Sequence, residues 1–133
     1  MQYLLDTNIC VDAIRGRNVH VIERLKALPQ GGLGISAITL GELEHGVARS
    51  QRPEQNRTAL YRFCTLIDVL PFDAAAAQHY GPIRSDLERI GEVIGPMDLL
   101  IAAHARALGA TLITNNDREF RRVQGLVVED WRS

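Results

Sequence analysis

Apolar positions along the chain follow two rhythms. Short apolar runs at Gln2–Leu5, Leu33–Ile35, Val69–Leu70, Thr111–Thr114 and Leu126–Val128 each end at a turn or cap residue and read as buried strands. Between them the apolar residues recur at helical spacing. A helix follows the cap residues Asp6-Thr7-Asn8, runs through Ile9, Ala13 and Ile14, and ends near Gly16. Ile22, Leu25 and Leu28 form one stripe within Val19–Leu28, which stops at Pro29, and Gln30-Gly31-Gly32 is a turn. Ser36 caps a helix through Ile38, Leu43 and Val47. Pro53 opens the next helix, in which Leu60, Phe63, Cys64 and Ile67 are spaced i, i+3, i+4 and i+7. Asp73 begins a longer helix with Tyr80, Ile83, Leu87 and Ile90 on one face. Pro96 to about Leu108 is apolar nearly all round and closes on Gly109, which predicts a central helix. A short basic helix follows the turn Asn115-Asn116-Asp117.

Short apolar strands separated by helices imply parallel pairing with helices on both faces. The pattern predicts an α/β fold, a three-layer α/β/α sandwich with a mostly parallel central sheet, in one domain over residues 1–133. Ligands of such folds collect beyond the carboxyl ends of the strands.

Composition narrows the function. With 133 residues and 46% apolar content the chain can bury a real core, and the 23% charged fraction is not that of a disordered chain. No apolar run reaches the roughly 18–20 residues of a membrane span, and Asp6 comes too early for a secretory signal, so a cytoplasmic protein with no membrane contact is expected. Cys10 and Cys64 are too few for a disulfide framework or a thiolate zinc site. A net charge of -1 excludes a surface coated for non-specific duplex binding, so any nucleic-acid contact must be a local patch. Fourteen arginines accompany a single lysine, Lys26, which fits either a coding bias or a demand for phosphate contacts.

Four acids stand at informative places. Asp6 ends a strand, Glu42 sits between Leu40 and Leu43 in an apolar helix, Asp98 lies in the first turn of the most apolar helix, and Glu119 follows the Thr111–Thr114 strand. Each has a structural alternative: a helix cap, a dipole partner, a solvent face or a surface pair. A parallel sheet nevertheless brings Asp6 and the Asp117–Glu119 turn to one edge, within reach of Asp98. Converging carboxylates repel unless a cation neutralises them, and an oxygen-only set suits Mg²⁺ or Mn²⁺. Such a site would promote in-line attack on a phosphodiester. Other chemistries find little support. His20, His45, His79 and His104 lack metal spacing, and no nucleophile elbow, phosphate loop or dinucleotide fingerprint is present.

Leu5-Asp6-Thr7-Asn8, Gly41-Glu42-Leu43, the stretch from Ile94-Gly95-Pro96-Met97-Asp98 to Ala105, and Thr114-Asn115-Asn116-Asp117-Arg118-Glu119-Phe120 together resemble the PIN-domain nucleases, and among them the VapC-type ribonuclease toxins. The resemblance spans residues 5 to 120. It implies a Mg²⁺-dependent endoribonuclease, usually dimeric, held inactive by a VapB-type antitoxin and meeting operator DNA only through that antitoxin. It places Asp6, Glu42 and Asp98 on the family's first three acidic positions, with Asp6 and Asp98 as metal ligands. Thr7, Asn8, Thr114, Asn116 and Asp117 fall in its supporting positions. Asn116 stands where many members carry the fourth acid. Glu119 is acidic in a subset that shares Thr-Asn-Asn, Ile-Gly-Pro and a Glu129-Asp130-Trp131-like ending. That subset is similar to toxins that cut initiator tRNA in the anticodon stem-loop, which makes tRNA the leading substrate.

If the segment is a helical turn, Asp117 and Glu119 point about 200° apart and cannot share a metal, whereas in an extended segment they share a side; the capping residues favour the helical turn. Glu119 is the expected fourth acid, acting through water, with Asn115 or Asn116 capping the turn and Asn116 orienting that water or Asp6. Arg118, Arg121 and Arg122, spaced i, i+3 and i+4, are the expected RNA contacts, two or three of them on one helical face, with a merely solvated helix as the alternative. The alternative is a catalytically inactive PIN-like module that binds RNA or a partner. A phosphoacceptor receiver domain needs a late lysine that this chain lacks, and a DNA flap nuclease needs gripping segments that 133 residues do not hold.

Overall fold

The computed structural model describes residues 2–28 and 31–132. Its elements are β1 (Tyr3–Leu5), α1 (Thr7–Arg15), α2 (Val19–Ala27), β2 (Leu33–Ser36), α3 (Ala37–Ala48), α4 (Pro53–Cys64), β3 (Asp68–Leu70), α5 (Ala74–Arg89), α6 (Pro96–Leu108), β4 (Thr111–Ile113), α7 (Asp117–Phe120) and β5 (Val128–Glu129). The sheet order is β3-β2-β1-β4-β5, and every pairing is parallel.

The central strands alternate strictly between two cores. Leu4 of β1 and Leu112 of β4 pack with Ile83 and Leu87 of α5, Leu99 and Ile101 of α6, and Phe120. Their neighbours Leu5 and Ile113 pack on the opposite face with Ile9, Val21, Leu43, Leu60 and Trp131. With side chains of period two and helices on both faces, these strand positions are all apolar, as a parallel sheet requires. The three-layer sandwich expected from the sequence is therefore present, with α5 and α6 on one side and α1 to α4 on the other.

On the α5–α6 side β2 offers only Gly34 and Ser36, and α6 fills the space with His104. Its Nδ1 lies 2.8 Å from Ser36 Oγ, and its ring meets Phe72 edge-on. Ser36 Oγ also accepts the Ile38 amide and caps α3. The hydroxyl thus ties the start of α3 to the middle of α6, and burial lowers the His104 pKa. At its far end α6 closes on Gly109, whose φ of 65° is a left-handed cap that a Cβ would strain.

Several expected boundaries move. α4 ends at Cys64, so Ile67 packs from the following turn and does not extend the helical stripe. Ile90 is the cap residue of α5 and is 60% exposed, off the apolar face. In α2 the buried residue is Val21 and not Ile22; with Leu25 and Leu28 it makes an i, i+4, i+7 stripe rotated by one residue from the expected one. The last strand begins at Val128, two residues later than expected. Of the expected stop and turn, Pro29 and Gln30 lie outside the described residues, and Gly31 has a φ of 92°. No helix among the described residues is long and apolar enough to cross a membrane.

Candidate active site

The chain leaves the centre of the sheet at two adjacent carboxyl ends, β1 and β4. Connections diverge there, because β1 feeds β2 on one side while β4 pairs on the other. That divergence opens a crevice, the usual ligand position of open α/β sheets. Asp6 sits in it as the N-cap of α1, buried with 3% of its surface exposed. Its Oδ1 accepts the Thr7 amide at 2.7 Å and its Oδ2 accepts the Thr114 hydroxyl at 2.7 Å. Asp6 therefore does cap a helix, but one oxygen is turned across the crevice to the end of β4. Burial raises its pKa, against the two hydrogen bonds, and the Glu42 charge raises it further.

Glu42 reaches the crevice from the second turn of α3. Its Oε1 accepts the Thr7 hydroxyl at 2.6 Å, and Thr39 approaches the same hydroxyl at 3.4 Å. Asp98 enters from the first turn of α6, half-buried. Its pKa is pushed up to about 6, first by burial and then by the charges of Asp6, Glu42 and Glu119. That set of influences brings all four acids into one electrostatic neighbourhood. No ion pair among the described residues involves any of them.

The fourth side is the short α7. Phe120, fully buried in the core, anchors it, and Glu119 faces inward, accepting Asn116 Nδ2 at 3.1 Å. Asp117 points elsewhere and pairs with Arg121 at 3.3 Å. Neither Asn115 nor Asn116 caps the turn with its side chain. The Asn116 side chain is spent on Glu119, and its own amide donates to Thr114 Oγ1 at 2.9 Å. Asn116 thus touches Asp6 only through Thr114. Asn8 is exposed at the rim.

The arginines do not share a helical face as expected, because α7 stops at Phe120. Arg118 is exposed, Arg121 is tied to Asp117 and to the Val128 carbonyl, and Arg122 turns toward the Glu92 carbonyl at 3.5 Å. Sequence reasoning missed the hydroxyl of Thr39. Its only signal was a polar residue one turn before Glu42, in the apolar first half of the helix.

From Thr7 and Glu42 a groove of about 680 Å³ runs between α1, α3 and α4, floored by Val11, Leu43 and Leu60 and flanked by Arg15 and Arg49.

This donor set fits a hard divalent cation. Among the described residues no positive side chain pairs with these oxygens, and no three His, Cys, Asp or Glu side chains stand close enough together to hold a metal ion, so at most two carboxylates would ligate it directly. Mg²⁺ is bound in just that way, through one or two carboxylates with several waters retained.

Comparison with known proteins agrees with this architecture. The model of the PIN domain family matches residues 3–126. A tRNA(fMet)-specific endonuclease VapC of Shigella flexneri is 49% identical over 131 residues, covering 98% of each chain. Ribonuclease VapC2 of Rickettsia felis is 43% identical over 132 residues, again 98% of each. The crystal structure of VapBC2 from Rickettsia felis bound to a DNA fragment from its promoter superposes with a TM-score of 0.93 at 42% identity, covering 98% of this chain and 99% of that one. With its acids gathered at the β1–β4 crevice and matches of this extent, the chain belongs to the PIN domain family, within its VapC branch.

Proposed function

We propose that this chain is the endoribonuclease toxin of a toxin–antitoxin pair and that it hydrolyses a tRNA phosphodiester at the β1–β4 crevice. The observation that carries the reading is the uncompensated convergence of Asp6, Glu42, Asp98 and Glu119, which lifts Asp98 to a pKa of about 6. The names of the 49% and 43% identical relatives support RNA as the substrate and tRNA as its class. Initiator tRNA, cut in the anticodon stem-loop, is the leading candidate. Such an enzyme works where tRNA is, in the cytoplasm.

Asp6 and Asp98 are the side chains that would hold Mg²⁺, or Mn²⁺ in its place. When bound, the cation supplies charge neutralisation at the scissile phosphate and a more acidic water. The remaining work falls to the chain. Thr7 and Thr114 each donate to a carboxylate and fix its orientation, in the manner of partners that surround metal ligands. Glu42 and Glu119 are placed to accept a proton from water. Asn116 holds Glu119 toward the crevice and Asp117 is left outside it. We assign Glu119 as the fourth acid.

The partner fits the same charge pattern. A crevice of uncompensated acids attracts an arginine. A VapB-type antitoxin tail lying along the groove between α1, α3 and α4 would deliver one there and exclude the metal. Two structures related to this chain are VapBC complexes bound to DNA, one of them to a promoter fragment, which supports an antitoxin partner that carries the DNA contact. The family resemblance leads us to expect a homodimer.

The test is cleavage of purified tRNA by the purified chain, with and without Mg²⁺ and with and without co-expressed antitoxin. Cleavage that needs the metal and disappears in the complex is expected. Equal cleavage in EDTA would overturn the mechanism, and toxicity undiminished by the antitoxin would overturn the pairing.

A further inference from the structure

A second groove, of about 390 Å³, lies along the flank of α5 opposite the segment that follows α7. Its floor is Ile83, Leu87 and Val123, and four arginines stand around it: Arg89, Arg106, Arg121 and Arg122. Two of these are neutralised locally, Arg89 by Asp86 at 3.0 Å and Arg121 by Asp117 at 3.3 Å. The other two are not. Arg106 Nε donates to His79 Nδ1 at 2.9 Å, and its Nη1 donates to the Gln124 carbonyl at 2.9 Å. Arg122 Nη1 reaches the Glu92 carbonyl at 3.5 Å. A ring nitrogen and two main-chain carbonyls hold these guanidiniums in place without cancelling their charge. Both side chains are half-buried, and neither has an acid partner among the described residues.

Keeping a cation partly out of water with only neutral acceptors is unfavourable unless something anionic completes the site. Guanidinium donors remain free on both residues, and a planar fork already fixed in orientation suits a phosphate. Position identifies which phosphate. Arg122 follows Glu119 by three residues, and its amide donates to the Glu119 carbonyl, so the Arg122 end of the groove is built by the segment that leaves the acid crevice. Arg106 is eight residues beyond Asp98 on α6, about 12 Å along the helix axis. That is too far for contact with the nucleotide being cut.

We propose that this groove grips the sugar–phosphate backbone of substrate RNA flanking the cut, with Arg106 and Arg122 binding its phosphates. The inference rests on the ribonuclease reading for the identity of the polyanion. It predicts that a folded RNA binds more tightly than a short fragment, and that the difference comes from this flank and not from the acids.

The test measures binding of fluorescent whole tRNA, and of a short stem-loop spanning its cut site, to the chain in an Asp98→Asn background that leaves the RNA intact. Adding Arg106→Gln and Arg122→Gln should weaken whole-tRNA binding roughly 5–30-fold and lower the slope of log K against log salt by about 0.9 for each phosphate that is no longer neutralised. Stem-loop binding should change less than about twofold. The double Arg→Lys variant should restore the salt slope, because it keeps the charge and loses only the fork. Unchanged tRNA affinity and slope, or equal losses on both RNAs, would overturn the proposal. So would losses of the same size and slope in the Lys variant, which would mark a structural role. A change in sedimentation with the Gln variants would make the groove a face between copies and also overturn it. Cleavage of the same tRNA by the parent chain is followed in parallel. Arginine-dependent binding without cleavage would sink the ribonuclease reading and leave the groove standing, and cleavage with arginine-independent binding would do the reverse.

Discussion

The two ends of α6 carry opposite uncompensated charges. At its N-terminus Asp98 joins three other carboxylates whose hydrogen-bond partners are hydroxyls, an amide side chain and a backbone amide. Toward its C-terminus Arg106 faces a groove where it is held only by a ring nitrogen and a carbonyl. The macrodipole favours this polarity, acid at the start and base at the end, though by well under the cost of gathering like charges. Arg84–Glu88 and Arg132–Asp130, by contrast, are ordinary ion pairs at the surface. What sets the two ends of α6 apart is that their unpaired charges are half-buried, Asp98 at one and Arg106 at the other.

The contrast breaks most visibly at the acid end. Asp98→Asn should reduce RNA cleavage by at least about 100-fold, more than the roughly 10–100-fold typical of groups that only orient a metal ligand. The same change should raise the melting temperature of the metal-free protein, because it removes one of four mutually repelling charges. Asp6→Asn should lose as much activity without that stabilisation, since its two short hydrogen bonds to Thr7 and Thr114 are made to a charged carboxylate. Cleavage rates and unfolding scans in EDTA check both. A metal-free Asp98→Asn protein less stable than its parent would show that the cluster is not under electrostatic strain.

A finer division runs through α7 itself. Glu119 faces the crevice and Asp117 faces Arg121, two residues apart on opposite sides of one turn. Glu119→Gln is expected to lower cleavage about 10-fold or more across a Mg²⁺ titration. Asp117→Asn should cost less than about threefold, as an exposed ion pair contributes little. Loss of activity in Asp117→Asn alone would reverse the assignment of the fourth acid.

How much of this was legible in the sequence depended on period. The fold was, because Leu4-Leu5 and Leu112-Ile113 are apolar on both faces and alternate with helical stretches, which only a covered parallel sheet tolerates. Convergence of Asp6 with the end of β4 followed from topology alone. What the sequence did not reveal was local. Nothing in Asn115-Asn116-Asp117 says that Asn116 will spend its side chain on Glu119 when the usual choice is a backbone amide. The length of α7 was equally hidden. A basic stretch of helical spacing suggested a shared face for Arg118, Arg121 and Arg122, but burial of Phe120 ends the helix and turns the chain toward β5. The α5 flank was invisible for another reason. Arg89, Arg106 and Arg122 are scattered in sequence and meet only through the packing of α5 against α6 and the return of the chain after α7.

The smallest expected effect is also the one that separates the two ends by pH. Arginine keeps its charge throughout the accessible range, so the charges of Arg106 and Arg122 are constant across it. The acid end does. Asp98 binds its proton up to about pH 6 in the folded chain, against 3.8 for the ordinary group. Between those values the folded state holds more protons than the unfolded one, and the linkage slope is negative. Stability of the metal-free protein should therefore fall as pH rises from about 4 to about 6 and level off above. Asp6, also raised by burial, adds to the decline with the same sign. After discounting for the solvent that reaches half-buried Asp98, its share is on the order of 1 kcal/mol, or roughly 3 °C in melting temperature for a domain of this size. A divalent cation favours the ionised acids, so Mg²⁺ should stabilise the protein at pH 7 and do little at pH 4.5. Unfolding scans across this range, with and without Mg²⁺, check the sign. In Asp98→Asn the slope should shrink to the part that belongs to Asp6, and an unchanged slope would mean that the repulsion is relieved some other way before the cation arrives.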